Sequence, residues 1–305
     1  MKKKYYGVIP PIITPILPDE TVDEEGFRKL LDYCIEGGLH GIFVAGTNGE
    51  TMALTQKERD RAIRIAVEHV NGRVPVMAGV MDTSTRRVID NVKAAEQAGA
   101  TCCVVTPIFY DRHTSQDETV RHFEQILKET SCDLMIYNIP PFTGLKLTGK
   151  TILRIAELDK RIVGCKDSSG SSADFIPVLL KHKDDPNFSV LQGVTYLGIP
   201  TMLLGADGFV PAMAPVFPRM FANAYEACAA GDLEKSYKYM DLIAQTSQVL
   251  GMSKNATAAA KYAISLRGMT SKQVIMPQDF TLPEDEERIR AKVAEIDRAI
   301  EESGL

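Results

Sequence analysis

The sequence predicts a (β/α)8 barrel over residues 1–230, followed by a three-helix region over residues 231–305. Three observations carry that expectation. Short apolar runs recur eight times, longer amphipathic stretches lie between them, and the apolar runs stop before residue 230. Strands that alternate with helices are the pattern of a parallel sheet with helical crossovers. Eight such units match the strand number of the barrel.

The strand candidates are GVIPPIITPI (7–16), GIFVAG (41–46), VPVMAGV (74–80), CCVVTP (102–107), LMIYNIP (134–140), IVGCKDS (162–168), FSVLQG (188–193) and GFVPAM (208–213). They begin roughly 20 to 35 residues apart, the length of one strand–helix unit. The stretches between them carry helix-end signals. TQKERDRAIRIAVEHVNG opens on Thr55 as N-cap with Glu58 in capping-box position, and Gly72 follows its end. SQDETVRHFEQILKE is entered at Ser115 with an acidic first turn. A doubly wound open sheet shares this alternation, but no G-x-G-x-x-G follows the first strand. Beyond residue 230, Gly231 to Leu250, Ser253 to Leu266 and Pro283 to Glu302 read as helices without a sheet partner, packed on the barrel or on a neighbouring subunit.

Composition excludes several classes of function. The 305 residues are 45% hydrophobic, enough for a sizeable core. A formal net charge of −5 and the lack of a Lys/Arg run argue against nucleic acid or an acidic membrane as partner. No apolar run reaches membrane-spanning length. The start, MKKKYYGVIPP, has no apolar segment of the kind a secretory signal needs. Cys34, Cys102, Cys103, Cys132, Cys165 and Cys228 form no C-x-x-C and read as buried free thiols in a reducing cytoplasm. The histidines show no zinc-ligand spacing, so no metal is expected.

Chemistry in a (β/α)8 barrel gathers at the C-terminal strand ends. The polar residues there are Thr47, Asn48 and Glu50, then Tyr110, Tyr137 and Asn138, Lys166 and Asp167, and Gln192 with Thr195. That set suits metal-independent, cofactor-free chemistry built on one amine, one phenol and one hydroxyl. An amine held among apolar neighbours loses hydration, its pKa falls, and its neutral form can attack a carbonyl to form a Schiff base. The alternative is a surface ion pair with Asp167, which strand alternation opposes because adjacent residues face opposite ways. Tyr137 reads either as a core aromatic or as a proton carrier within reach of Lys166 from the adjacent strand. AGTNGET (45–51) reads either as an ordinary βα turn or as a concavity of backbone donors for a carboxylate, with Gly46 and Gly49 folding the chain back.

G-T-N-G-E at 46–50, Y-N-I-P at 137–140 and G-x-K-D at 164–167 occur in that order on strands two, five and six. Together they resemble the dihydrodipicolinate synthase / N-acetylneuraminate lyase family of class I aldolases, over nearly the whole chain. The resemblance implies a barrel with a C-terminal helical domain, assembled as a homotetramer or homodimer. It implies pyruvate or another 2-oxo acid held as an imine on Lys166, with Tyr137 relaying the proton. Thr47 and Asn48 would hold the carboxylate, Asn48 through its backbone amide, and Thr47 would link the relay. Val210 matches a position whose carbonyl faces the site. A tyrosine after strand four enters the neighbouring subunit's site in this family. Here Phe109 or Tyr110 stands there, and the hydroxyl favours Tyr110.

Two departures bear on the second substrate. Dihydrodipicolinate synthases carry a carboxylate-binding arginine where PPFTG places Phe142, and a phenyl ring cannot form that charged bidentate pair. Sialic acid lyases carry acidic residues after the strand-seven glycine, whereas Gly193 is followed by Val194, Thr195 and Tyr196. The second-substrate region is therefore less charged and more aromatic, which leans towards a 2-keto-3-deoxy-acid aldolase. The alternatives are a dihydrodipicolinate synthase proper, a dehydratase or deaminase using the same imine, and a 2-oxo-acid-binding paralogue without catalysis.

Overall fold

The computed structural model describes residues 3–110 and 115–305. Its strands are β1 (Gly7–Val8), β2 (Ile42–Val44), β3 (Val76–Gly79), β4 (Cys102–Val105), β5 (Asp133–Asn138), β6 (Ile162–Asp167), β7 (Ser189–Gln192) and β8 (Gly208–Phe209). The helices are α1 (Glu24–Glu36), α2 (Gln56–Val70), α3 (Thr85–Gln97), α4 (Gln116–Glu129), α5 (Pro140–Thr143), α6 (Gly149–Ala156), α7 (Ser172–His182), α8 (Gly198–Leu203), α9 (Pro218–Ala229), α10 (Leu233–Leu250), α11 (Ala256–Ser265) and α12 (Pro283–Ser303).

All sheet pairings are parallel, in the order β1-β8-β7-β6-β5-β4-β3-β2. The sheet curls until its edges meet. Phe43 N donates to Pro10 O at 2.9 Å, and Ile12 N donates back to Phe43 O at 2.9 Å. Regular pairing in β1 is limited to two residues because Pro10 and Pro11 bring no N–H to a ladder. At the other seam, a Cβ on Gly208 would fall 2.0 Å from Gly7 O, so the two strands close only through glycine.

Period-two alternation divides the apolar side chains into two layers. Phe43, Met77, Val104, Met135, Tyr137, Leu191 and Val210 cluster inside the curl. Ile42, Val44, Ala78, Cys103, Val105, Ile136 and Val190 face outward and pack under the helices. Strand β6 departs from simple alternation. Leu134 pairs with Ile162 but Met135 pairs with Gly164, so Val163 is an extra residue at a bulge. The bulge shifts the parity, and Lys166 falls opposite Tyr137 on the inner face.

The helix ends follow local chemistry. Thr55 Oγ1 accepts from Glu58 N at 3.3 Å, and Ser115 forms a complete capping box with Glu118. Helix α2 ends on Asn71, which itself takes the left-handed conformation at φ 44°, one residue before Gly72. Helices α10, α11 and α12 occupy the three stretches expected after residue 230. Helix α10 packs on α9 and α8, and Arg267 joins Val216 O at 3.1 Å to the Asp297 carboxylate at 2.8 and 2.9 Å. A buried ion pair between Lys261 of α11 and Glu50 ties the turn after β2 to the C-terminal helices.

All six cysteines are free thiols, five of them buried. Among the described residues no helix is long and apolar enough to cross a membrane. No group of three or more His, Cys, Asp and Glu there is placed to hold a metal ion.

Candidate active site

Lys166 is 3% exposed and stands at the C-terminal end of β6, inside the curl. Its Nζ lies 4.0 Å from the Tyr137 ring centroid and 4.8 Å from that of Phe43. Among the described residues no carboxylate pairs with it. Burial alone lowers the amine's pKa from its usual 10.5 to about 7. The surface-pair alternative with Asp167 fails on geometry. Asp167 points the other way, accepting from Asn138 Nδ2 at 2.8 Å, Ser169 N at 2.8 Å and Ser169 Oγ at 2.6 Å. Its carboxyl is pushed above the usual range by burial, against the pull of those donors.

Tyr137 is 3% exposed, packed edge-on to Phe43 with centroids 6.1 Å apart. Burial raises its phenol to about 12, partly offset by hydrogen bonding with Ser168 and then Thr47. Thr47 lies in the turn after β2. That turn is closed by Gly49 N to Gly46 O at 3.0 Å and Glu50 N to Thr47 O at 3.0 Å. The left-handed residues there are Ala45 and Glu50, not the glycines that the sequence reading assigned to folding the chain back. The tightest glycine near this turn is Gly79 of β3, where a Cβ would come within 2.0 Å of Ala45 O.

Above Tyr137 opens a cavity of about 870 Å³. Thr47, Thr51, Thr106, Phe109, Tyr137 and Phe142 line its barrel side, and Lys254, Asn255, Thr257 and Gln278 line its C-terminal side. Lys166 does not itself line the cavity and reaches it through the Tyr137 ring, whose centroid is 4.0 Å from its Nζ. The arrangement can present a neutral amine to a carbonyl carbon, with a phenol and a hydroxyl alongside to move the proton.

A model of the dihydrodipicolinate synthetase family matches residues 4–296. The chain belongs to this family. It is similar to the 4-hydroxy-tetrahydrodipicolinate synthase of Methanopyrus kandleri, at 32% identity over 95% of this chain and 96% of the relative. It is equally similar, at 32% over 92% of this chain and 93% of the relative, to the putative 2-dehydro-3-deoxy-D-gluconate aldolase YagE of Escherichia coli. The crystal structure of YagE with pyruvate superposes with a TM-score of 0.91 at 30% identity, covering 96% of this chain and 99% of that one. The dihydrodipicolinate synthase structure from Bacteroides thetaiotaomicron superposes with a TM-score of 0.90 at 31% identity, covering 97% of this chain and 100% of that one. The chain is a lyase of this family.

The remaining sequence-derived residues divide. Phe142 is 65% exposed on the cavity wall. Val210 is buried in the inner cluster, and its N–H donates to Gln192 O at 2.8 Å. Gly193 is held by its N–H to Asp167 O at 2.7 Å, and a Cβ there would meet Ser168 Oγ at 2.0 Å. Asn48 has a buried side-chain Nδ2 without a hydrogen-bond partner among the described residues, and it does not line the cavity. Tyr110 stands 94% exposed at φ 76°, away from its own chain's cavity, while Phe109 lines that cavity. Glu50, singled out at a strand end, is structural: it pairs with Lys261 and accepts from Ile275 N at 2.9 Å.

The sequence reading missed Ser168, Thr51, Thr106 and Lys254. Ser168 had a signal, since it is two positions past the lysine, beside a glycine-requiring strand end. Thr106 had one too, as a polar residue just before the closing proline of the strand run CCVVTP. Lys254 had none, because its place depends on packing of the C-terminal helices on the barrel.

Proposed function

We propose that this lyase forms a Schiff base between Lys166 and pyruvate or another 2-oxo acid, and makes or breaks the carbon–carbon bond at C3. One observation carries the reading: Lys166 is buried without a carboxylate partner among the described residues, its amine lowered to about 7, directly across from Tyr137. The neutral amine adds to the C2 carbonyl, water leaves, and the resulting iminium accepts electrons. In cleavage the bond between C3 and C4 breaks, its electron pair forms the enamine, and the C4 hydroxyl proton passes to the Tyr137 oxygen, which has given its own proton to the departing water, as the aldehyde leaves. The enamine then takes a proton at C3, and water hydrolyses the imine to release pyruvate and the amine. Condensation is the reverse.

Thr47 links Tyr137 to solvent in this reading, and the backbone N–H groups of Thr47 and Asn48 receive the 2-oxo acid carboxylate. The Val210 carbonyl and Gly193 shape the opposite side. The substrate leans towards a 2-keto-3-deoxy acid, because Phe142 stands at the one position where dihydrodipicolinate synthases carry their carboxylate-binding arginine. A dihydrodipicolinate synthase activity is the second reading, favoured by the similarity to the 4-hydroxy-tetrahydrodipicolinate synthase of Methanopyrus kandleri. Residues 1–230 carry the reacting groups and residues 231–305 complete the cavity. Exposed Tyr110 suits a site shared between copies in a homodimer or homotetramer, and the free thiols suit a reducing cytoplasm.

The test is to incubate the protein with pyruvate, reduce with borohydride and map the adduct by mass spectrometry. A reduced pyruvate adduct on Lys166, lost in Lys166→Met, is expected. An adduct of equal yield in Lys166→Met removes the proposal.

A further inference from the structure

The cavity above Tyr137 carries two charged side chains, Glu50 and Lys254, and they are not equivalent. Glu50 is buried and neutralised by Lys261, so it presents no net charge to a ligand. Lys254 is exposed on the cavity wall, and no ion pair or hydrogen bond among the described residues engages its amine.

Helix stability does not account for Lys254. It precedes Asn255, the N-cap of α11, whose Oδ1 accepts from Thr257 N at 2.9 Å and Ala258 N at 3.4 Å. A cation at this end of a helix is opposed by the macrodipole. Both the ammonium and the helix start therefore make this wall positive. The segment is also held in place, because the Asn255 side chain donates to Gln278 Oε1, across the cavity's C-terminal lining.

A second observation marks the space as built for a polar ligand. Thr51 and Thr106 line the same cavity at 4% and 3% exposure, and neither side-chain oxygen has a hydrogen-bond partner among the described residues. Leaving a buried hydroxyl unpaired costs about 1–3 kcal/mol. A substrate carrying hydroxyl groups along its chain would satisfy both.

Resting on the imine reading above, we propose that Lys254 is a specificity-determining residue that receives an anionic group at the distal end of the substrate. The substrate class is then a hydroxylated 2-oxo acid with a carboxylate or phosphate at the far end from its 2-oxo group. Such a ligand runs from Lys166 past Tyr137 and Thr106 to Lys254, and Phe142 contributes an apolar wall beside its middle.

The test compares wild type, Lys254→Met and Lys254→Arg by calorimetric binding without reductant. The probe pairs are 2-oxoadipate with 2-oxohexanoate, and 2-oxo-3-deoxygluconate with and without a 6-phosphate. Wild type should prefer the charged member of at least one pair by roughly five- to tenfold at low salt, as a partly solvated charge-assisted contact allows. The pair that shows the preference distinguishes carboxylate from phosphate. Lys254→Met should abolish the preference, leaving the uncharged members unaffected, and Lys254→Arg should retain it. No preference in wild type, or a preference that survives Lys254→Met, overturns the proposal. Borohydride trapping of pyruvate is read separately on the same proteins. Trapping without distal discrimination leaves the imine reading standing and Lys254 wrong. Discrimination lost in Lys254→Met without trapping leaves Lys254 standing and the imine reading wrong.

Discussion

Lys166 and Tyr137 are register partners across β5 and β6, and the lysine Nζ lies 4.0 Å from the tyrosine ring centroid. The contact places an amine against an aromatic face, which attracts the charged form. Desolvation works in the opposite direction and is the larger effect, since the amine is still lowered to about 7. An amine so poised is neutral often enough near pH 7 to act as a nucleophile, and it is protonated often enough to be held by the ring.

Imine formation should therefore follow the titration of Lys166. The nucleophile is the deprotonated amine, so single-turnover trapping rates with pyruvate should rise with pH through a midpoint near 7 and level off above it. A midpoint near the ordinary lysine value, measured by rapid-quench borohydride trapping, would remove desolvation as the activating cause.

The same titration bears on stability. Lys166 is about 7 in the folded chain and 10.5 when solvated, so between these values the unfolded chain binds more protons and stability rises with pH. Below pH 7 the cost of burying the charge is fully present. Lys166→Met should raise Tm most at or below pH 7, with the gain shrinking towards pH 10, as scanning calorimetry across that range can show.

Tyr137→Phe keeps the ring against Lys166 and removes the hydroxyl that bonds with Thr47 and Ser168. Turnover should fall by about 10²–10⁴-fold, the usual contribution of a positioned proton carrier. The yield of trapped imine should fall far less. Equal losses in steady-state rate and trapping yield would sink the relay role.

Glu50 and Lys261 are an ion pair with both side chains fully buried. Removing one partner leaves the other uncompensated, so Lys261→Met should cost about 3–5 kcal/mol. The double variant Glu50→Gln/Lys261→Met should recover part of that loss. Urea unfolding of both checks the order, and because Glu50 also anchors Ile275 N at 2.9 Å, the cavity wall should loosen with it.

A Cβ on Gly193 would come within 2.0 Å of Ser168 Oγ. Gly193→Ala should displace that hydroxyl from Tyr137 and lower both Tm and turnover. Adding Ser168→Ala removes the closest contact but leaves Asp167 O at 3.0 Å and the residue-168 Cβ at 3.1 Å, so the double variant should regain part of the Tm but not the contribution of the hydroxyl to turnover. Strictly additive effects on Tm would show that the two positions do not touch.

Strand and helix order, the Thr55 and Ser115 caps and the three C-terminal helices were legible because they are local. Period, capping chemistry and turn residues lie within a few positions of the element they determine. Lys166 and Tyr137 were legible through their motifs and through the adjacency of their strands. The direction of Lys166 was not, since with Val163 facing inward a regular strand would turn Lys166 outward. The extra residue at the Gly164 bulge reverses that, and it appears only when β6 is paired with β5 and β7, where a Cβ on Gly164 would lie 2.3 Å from Ser189 O.

Glu50 reads in sequence as a candidate at the mouth of the barrel; only the fold brings Lys261 to it and makes it structural. Lys254 reads as one more solvated charge until α11 is packed over the strand ends. The sequence by itself determined which elements form and which residue types end the strands, because these are written in neighbouring positions. The tertiary structure decided which charges are neutralised and which face the cavity, because desolvation and pairing depend on groups about two hundred residues apart in the chain.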